Sequence, residues 1–261
     1  MSKLTRWAEH ACLHVVDRIA TARRPERILV IHIAKTAGTS LRRMLQDEYG
    51  RRRVYPGDWH LRHLPDGLYP LGSEMLRNHA TLPPHNVLVG HFTAAMADML
   101  PGRYQTATVL REPIQRSLSM LGHFSRTLSV PVPELLEDGV FMEANIADFQ
   151  TRILGADGVC DPHQVDMGDE ALLDRAVARL GRLDFVGLTE RFAESCAVFD
   201  TLFRTTISRS MRREAVHRPG KREFAEWVPR IEPLVQRDRV LYETAVARFD
   251  AGTRRSPVAE P

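Results

Sequence analysis

The stretch His32-Ile33-Ala34-Lys35-Thr36-Ala37-Gly38-Thr39-Ser40-Leu41 gathers one fixed cation, three hydroxyls and a glycine between an apolar run and a helical pattern. At a strand-to-helix turn the first backbone N–H groups of the helix have no partner of their own. The helix dipole adds positive potential, so the turn can hold a phosphate. Lys35 adds a point charge, Thr36, Thr39 and Ser40 add donors, and Ala37 and Gly38 are small. The loop is not the nucleotide-binding pattern GxxxxGK[ST], which sets its Lys directly after the second Gly; here Lys35 precedes Gly38 by three residues.

A second segment, Leu110-Arg111-Glu112-Pro113-Ile114-Gln115-Arg116-Ser117-Leu118-Ser119, follows another apolar run. Arg111 would stand at a strand end and Ser119 just inside the next helix. A guanidinium fork and a hydroxyl together suit a terminal phosphate dianion. Of the eleven histidines, His91 directly follows a strand end, where a proton acceptor near neutral pKa would be useful. His32 sits within the first apolar run and reads as a hydrogen-bonding core residue. His60 and His63 are spaced as a metal pair without an evident third ligand; with Trp59 and Arg62 they would instead line an acceptor site. His123 is expected to end the helix that carries Ser119.

These residues need elements to hold them. Four short, β-branched, nearly continuous apolar runs at 27–33, 86–90, 106–110 and 184–188 read as strands of a parallel sheet covered on both faces. Helical patterns follow at 39–45, 114–124 and 190–203, with Pro113 at a first-turn position. Two more span 170–180, closed by Gly181, and 235–249. Strand–helix alternation predicts an α/β domain in three layers, with ligands at the carboxyl ends of the strands. Residues 49–84, rich in Gly, Pro, His and Trp, read as an irregular lid or substrate wall. The Arg-rich stretch 204–239, with Trp227, reads as a solvated helical face or as a basic, partly aromatic wall for an anionic or sugar acceptor.

Composition narrows the classes. The 261 residues, 43% hydrophobic, suffice for one domain over 1–261, with an amphipathic helix at 1–25 and a frayed tail at 251–261. A balance of 36 basic and 33 acidic residues argues against a nucleic-acid coat. Cys12, Cys160 and Cys196 form neither a disulfide framework nor a zinc knot, which suits a reducing compartment. No apolar run reaches the ~18 residues of a membrane span. The excess of Arg over Lys is common in GC-rich bacteria, so a bacterial cytoplasm is expected.

The loop and the 110–119 segment resemble those of the sulfotransferases that use 3′-phosphoadenosine 5′-phosphosulfate (PAPS), especially the carbohydrate branch with the heparan and uronyl enzymes. Ala34 departs from the proline usual there. Val89-Gly90-His91-Phe92, residues 145–154 (NIADFQTRIL), residues 185–192 (FVGLTERF) and Leu241-Tyr242 echo later segments of the family. The resemblance implies a P-loop-like fold with a central parallel sheet flanked by helices. It implies that Lys35, Thr36, Ala37, Gly38, Thr39 and Ser40 hold the 5′-phosphosulfate, that Arg111 and Ser119 hold the 3′-phosphate, and that His91 is the base and Lys35 a catalytic cation. No metal is needed, the product is 3′-phosphoadenosine 5′-phosphate (PAP), and the acceptor is a hydroxyl of a sugar or glycolipid. Two other readings stay open: an ATP-dependent P-loop kinase, and a nucleotide-binding module without turnover.

Overall fold

The strands of the sheet all run parallel, and their order places the loop that follows β1 at its centre. The computed structural model describes residues 27–58, 71–158, 161–213 and 225–255. The expected helix at 1–25, Cys12, Cys160, Trp59, His60, Arg62, His63 and residues 256–261 lie outside these. In chain order the strands and helices are β1 (Arg27–Ile31), α1 (Gly38–Tyr49), β2 (Val54–Tyr55), α2 (Gly72–Arg77), β3 (Val87–Gly90), α3 (Met96–Met99), β4 (Tyr104–Leu110) and α4 (Pro113–Leu128). Then come α5 (Val132–Glu137), α6 (Gly139–Asn145), α7 (Phe149–Gly155), α8 (Leu172–Arg182), β5 (Phe185–Leu188), α9 (Phe192–Phe203), α10 (Val228–Ile231) and α11 (Gln236–Arg255).

The sheet order is β2-β3-β1-β4-β5. Ile31 pairs with Gly90 on one side and Thr108 on the other, and Leu110 pairs with Leu188. From β1 the chain passes to the edge strand β2, returns to β3 beside β1, and then crosses to β4 on the other side. Such a reversal leaves a crevice outside the carboxyl ends of β1 and β4.

Side chains alternate across each strand, so a continuous apolar run feeds two cores. Leu29, Ile31, Leu88, Leu110 and Leu188 face one way and pack with Ile153 and Leu154 of α7, Leu180 of α8 and Leu241 of α11. Ile28, Val30, Val87, Val89 and Val109 face the other way and meet Leu41, Met44 and Leu45 of α1 and Phe199 and Phe203 of α9. That is the expected three-layer α/β arrangement. A satellite core of Met120, Leu121, Leu135, Leu136, Met142, Ile146 and Ile231 lies between α4, α5, α6 and α10. Trp227 packs against it rather than forming a solvated face.

Several boundaries differ from the sequence reading. The fifth strand, β2, lies inside the segment expected to be irregular, and two residues carry no visible period. Gly181 lies inside α8, which ends at Arg182 with Leu183 as its C-cap, so it caps nothing. Helix α4 runs to Leu128, so His123 is interior to it. Helix α11 runs to Arg255, past the start of the tail expected at 251. A 3-10 turn, Thr189–Arg191, precedes α9.

Candidate active site

The loop after β1 gains its shape from two left-handed residues, Lys35 (φ 71°) and Ala37 (φ 65°). Non-glycine residues rarely adopt this conformation, which costs about 1 kcal/mol or more. The alternation folds successive N–H groups into a concavity suited to an anion. Helix α1 begins at Gly38 with no side-chain cap. Thr36 turns inward: its Oγ1 donates to the Ile33 carbonyl at 2.8 Å and the residue is buried. Only its backbone can serve a ligand, whereas Thr39 is exposed and Ser40 half-buried.

Gly38 is required by a close approach. A Cβ there would lie 1.8 Å from Cδ2 of His32. The His32 ring, 5% exposed, is also stacked against His91 at 4.3 Å between centroids. His91 Nδ1 donates to the His32 carbonyl at 2.8 Å, since a carbonyl can only accept. The neutral His91 ring therefore carries its lone pair on Nε2. Burial pushes the His91 pKa down to about 4, the carbonyl contact opposes this, and the Lys35 and Arg116 charges add to the depression. Burial, then the charges of His91, Arg42 and Lys35, also hold His32 well below the ordinary histidine range.

Arg111 joins the segment after β4 to the loop after β1. Its Nη1 donates to the Lys35 carbonyl at 3.1 Å. Its backbone N–H and carbonyl are clasped by the Gln150 amide at 3.0 and 2.9 Å. Its buried Nε has no hydrogen-bond partner, and Glu190 Oε1 stands 4.0 Å away. Glu190 is itself held by the Glu112 N–H at 3.2 Å and the Tyr242 hydroxyl at 2.7 Å. Helix α4 starts cleanly, with Pro113 in its first turn and the Glu112 carboxylate accepting from Ile114 N and Gln115 N. Arg116, Ser119, His123 and Arg126 recur at three- and four-residue intervals and so share one face of α4. Burial, then Arg126, Arg111 and Arg116, lower the pKa of Lys35. Lys35 in turn lowers that of His123, after burial. Together these groups make a crowded cationic crevice.

The structure thus brings Lys35, Gly38, His91 and Arg111 to one end of the sheet. Ser119 is half-buried on the α4 face that also carries Arg116. The sequence reading assigned no role to Arg116, Gln150 or Glu190, although each falls in a quoted segment. Asp238, buried on α11, accepts from the Gln150 and Thr151 N–H groups at 3.2 and 2.7 Å and supports the clasp from below. Its contact spans almost ninety positions of chain and leaves no local signal. Among the described residues, no group of three or more His, Cys, Asp or Glu is arranged to hold a metal ion. No helix among them is long and apolar enough to cross a membrane.

No protein-family model matches the chain, and no curated protein matches it. Among solved structures, it is similar to a sulfotransferase from Alicyclobacillus acidocaldarius, with 15% identity and a TM-score of 0.45 over 87% of this chain and 99% of that chain.

Proposed function

We propose that this chain transfers a sulfuryl group from PAPS to an acceptor hydroxyl. The observation that carries the reading is the Arg111–Lys35 hydrogen bond, which joins two phosphate-binding segments 76 positions apart beside the His91 ring. A donor with phosphate at both the 5′ and 3′ positions needs two such segments at a fixed separation. The residues fit that group: the α1 N-terminus is without a side-chain cap, and the Arg111 Nε is buried without a hydrogen-bond partner.

In this reading the loop from Lys35 to Ser40 holds the 5′-phosphosulfate, and Arg111 and Ser119 hold the 3′-phosphate. The acceptor oxygen attacks sulfur in line. A new O–S bond forms as the bond from sulfur to the bridging oxygen breaks, and PAP leaves with that electron pair. The acceptor proton goes to His91 Nε2, which the Nδ1–His32 contact leaves as the basic nitrogen. Lys35 meets the charge that develops on the leaving oxygen. His91 is a weak base in the empty site; several negative charges on the donor would raise its pKa toward neutrality. We assign the acceptor to the carbohydrate or glycolipid class and the reaction to a bacterial cytoplasm.

A P-loop kinase would need its Lys in the first turn of the helix. Lys35 instead precedes α1, which starts at Gly38. Calorimetric titration with PAP, ATP and AMP tests the reading. PAP should bind in the micromolar range and ATP much more weakly, with PAP binding lost in Arg111→Ala. Equal or tighter ATP binding refutes it. PAP binding with no sulfate transfer to any sugar or glycolipid would make the chain a binding module.

A further inference from the structure

Arg116 heads the largest fully buried side chains of the described residues, with 0% exposure. Its Nε donates to the Ala34 carbonyl at 3.3 Å, within the phosphate loop. Its Nη2 donates to the Asn145 carbonyl at 2.7 Å, at the end of α6. The guanidinium carbon lies 4.2 Å from the Phe149 ring centroid, a cation–π stack that fixes its plane. Its buried Nη1 has no hydrogen-bond partner. Among the described residues no carboxylate comes within ion-pair distance of it.

A buried cation without a counter-ion is expensive, and a well-packed apolar residue in its place is often no less stable. Packing alone therefore does not account for this arginine. Its charge reaches the site: it depresses Lys35 and His91 after their burial has done so. Asp238 is the one carboxylate that favours the charged form, while Arg152 and Arg111 oppose it.

We infer that Arg116 is a positioning residue: its planar fork ties the Ala34 carbonyl to the end of α6, and its charge lies behind Lys35 and His91 until a bound anionic donor balances it. The inference rests on the sulfuryl-transfer reading above. A lysine keeps the charge but cannot span both carbonyls in one plane. The two functions are therefore separable by substitution.

The experiment compares wild type, Arg116→Lys and Arg116→Met. Three readouts are needed: thermal melting, calorimetric PAP titration, and the NMR titration of the His91 ring without ligand. Both variants should melt near the wild-type temperature and bind PAP at least about tenfold more weakly, the size expected for a lost charged hydrogen bond. The His91 midpoint should rise in Arg116→Met and stay in place in Arg116→Lys. Wild-type PAP affinity in Arg116→Met overturns the inference. So does a His91 midpoint that does not move, or unfolding of both variants, which would make Arg116 structural. If wild type binds no PAP, the transfer reading fails instead. A His91 midpoint that still separates the two variants then keeps Arg116 as the positioning residue of this site for another anion.

Discussion

Replacing Gly38 with alanine sets two effects of known sign against each other. Alanine in a helix is ordinarily better than glycine by up to ~1 kcal/mol, and Gly38 is not among the positive-φ glycines, so its backbone accepts the change. Against this, the new Cβ would sit 1.8 Å from His32 Cδ2 and 2.2 Å from Nε2. Carbon atoms prefer about 3.5–4.0 Å, so the ring would have to retreat by roughly 1.7 Å or more. The ring has little room to move, because it is 5% exposed and stacked against His91 at 4.3 Å. Overpacking of this kind costs about 1–3 kcal/mol. The clash should win, leaving a net loss of about 1–2 kcal/mol and a Tm lower by roughly 2–8 °C for a chain of this size. Displacing His32 also moves the carbonyl that orients His91, so sulfate transfer should fall further than stability does. The assay is a thermodynamic cycle with His32→Ala, read by urea melts. Without the ring, Gly38→Ala should become neutral or stabilising, for a coupling of about 1–3 kcal/mol. A Gly38→Ala protein that is more stable than wild type with His32 in place would refute the packing argument.

Lys35→Ala should lower kcat about a hundredfold or more with a smaller change in PAP affinity, whereas Arg111→Ala should mainly raise the donor KM; steady-state kinetics at varied PAPS separates them, and equal effects on both parameters would contradict the assigned roles. His91, held at about 4 when folded against an ordinary 6.5, contributes stability that is complete above pH 6.5 and is lost as pH falls toward 4, by about 3 kcal/mol. Asp238 has the opposite sign: with a folded pKa near 6 against 3.8, it loses a similar amount as pH rises from 3.8 through 6. The two nearly offset, so urea midpoints of Asp238→Asn should fall more steeply with acid between pH 6.5 and 4 than those of wild type; parallel profiles would contradict both shifts. Asp200 accepts from Thr205 Oγ1, Ile207 N and Ser208 N at 2.7, 2.7 and 3.0 Å. Asp200→Ala should therefore cost about 2 kcal/mol in a melt and leave PAP titration unchanged; a weakened PAP affinity would show that this turn reaches the site.

Local sequence determined the frame of this protein. The β-branched runs of β1, β3, β4 and β5 are long enough to show a strand, and continuous apolarity on both faces of each already implies a covered parallel sheet. The small, hydroxyl-rich loop before α1 and the Glu112-Pro113 start of α4 are also local, because capping and phosphate-loop chemistry lie within a few residues. What escaped was short or remote. Strand β2 has two residues, and α5 and α6 have six and seven, too few for a period to rise above composition. Only the tertiary structure decided that Arg111 reaches Lys35, that His32 fills the space left by Gly38, and that Gln150 and Asp238 brace Arg111 from other elements. Such contacts depend on sheet order and on burial between elements far apart in the chain. Local periodicity encodes which residues are apolar, whereas the partner that a buried polar group finds is set by the packing of the whole.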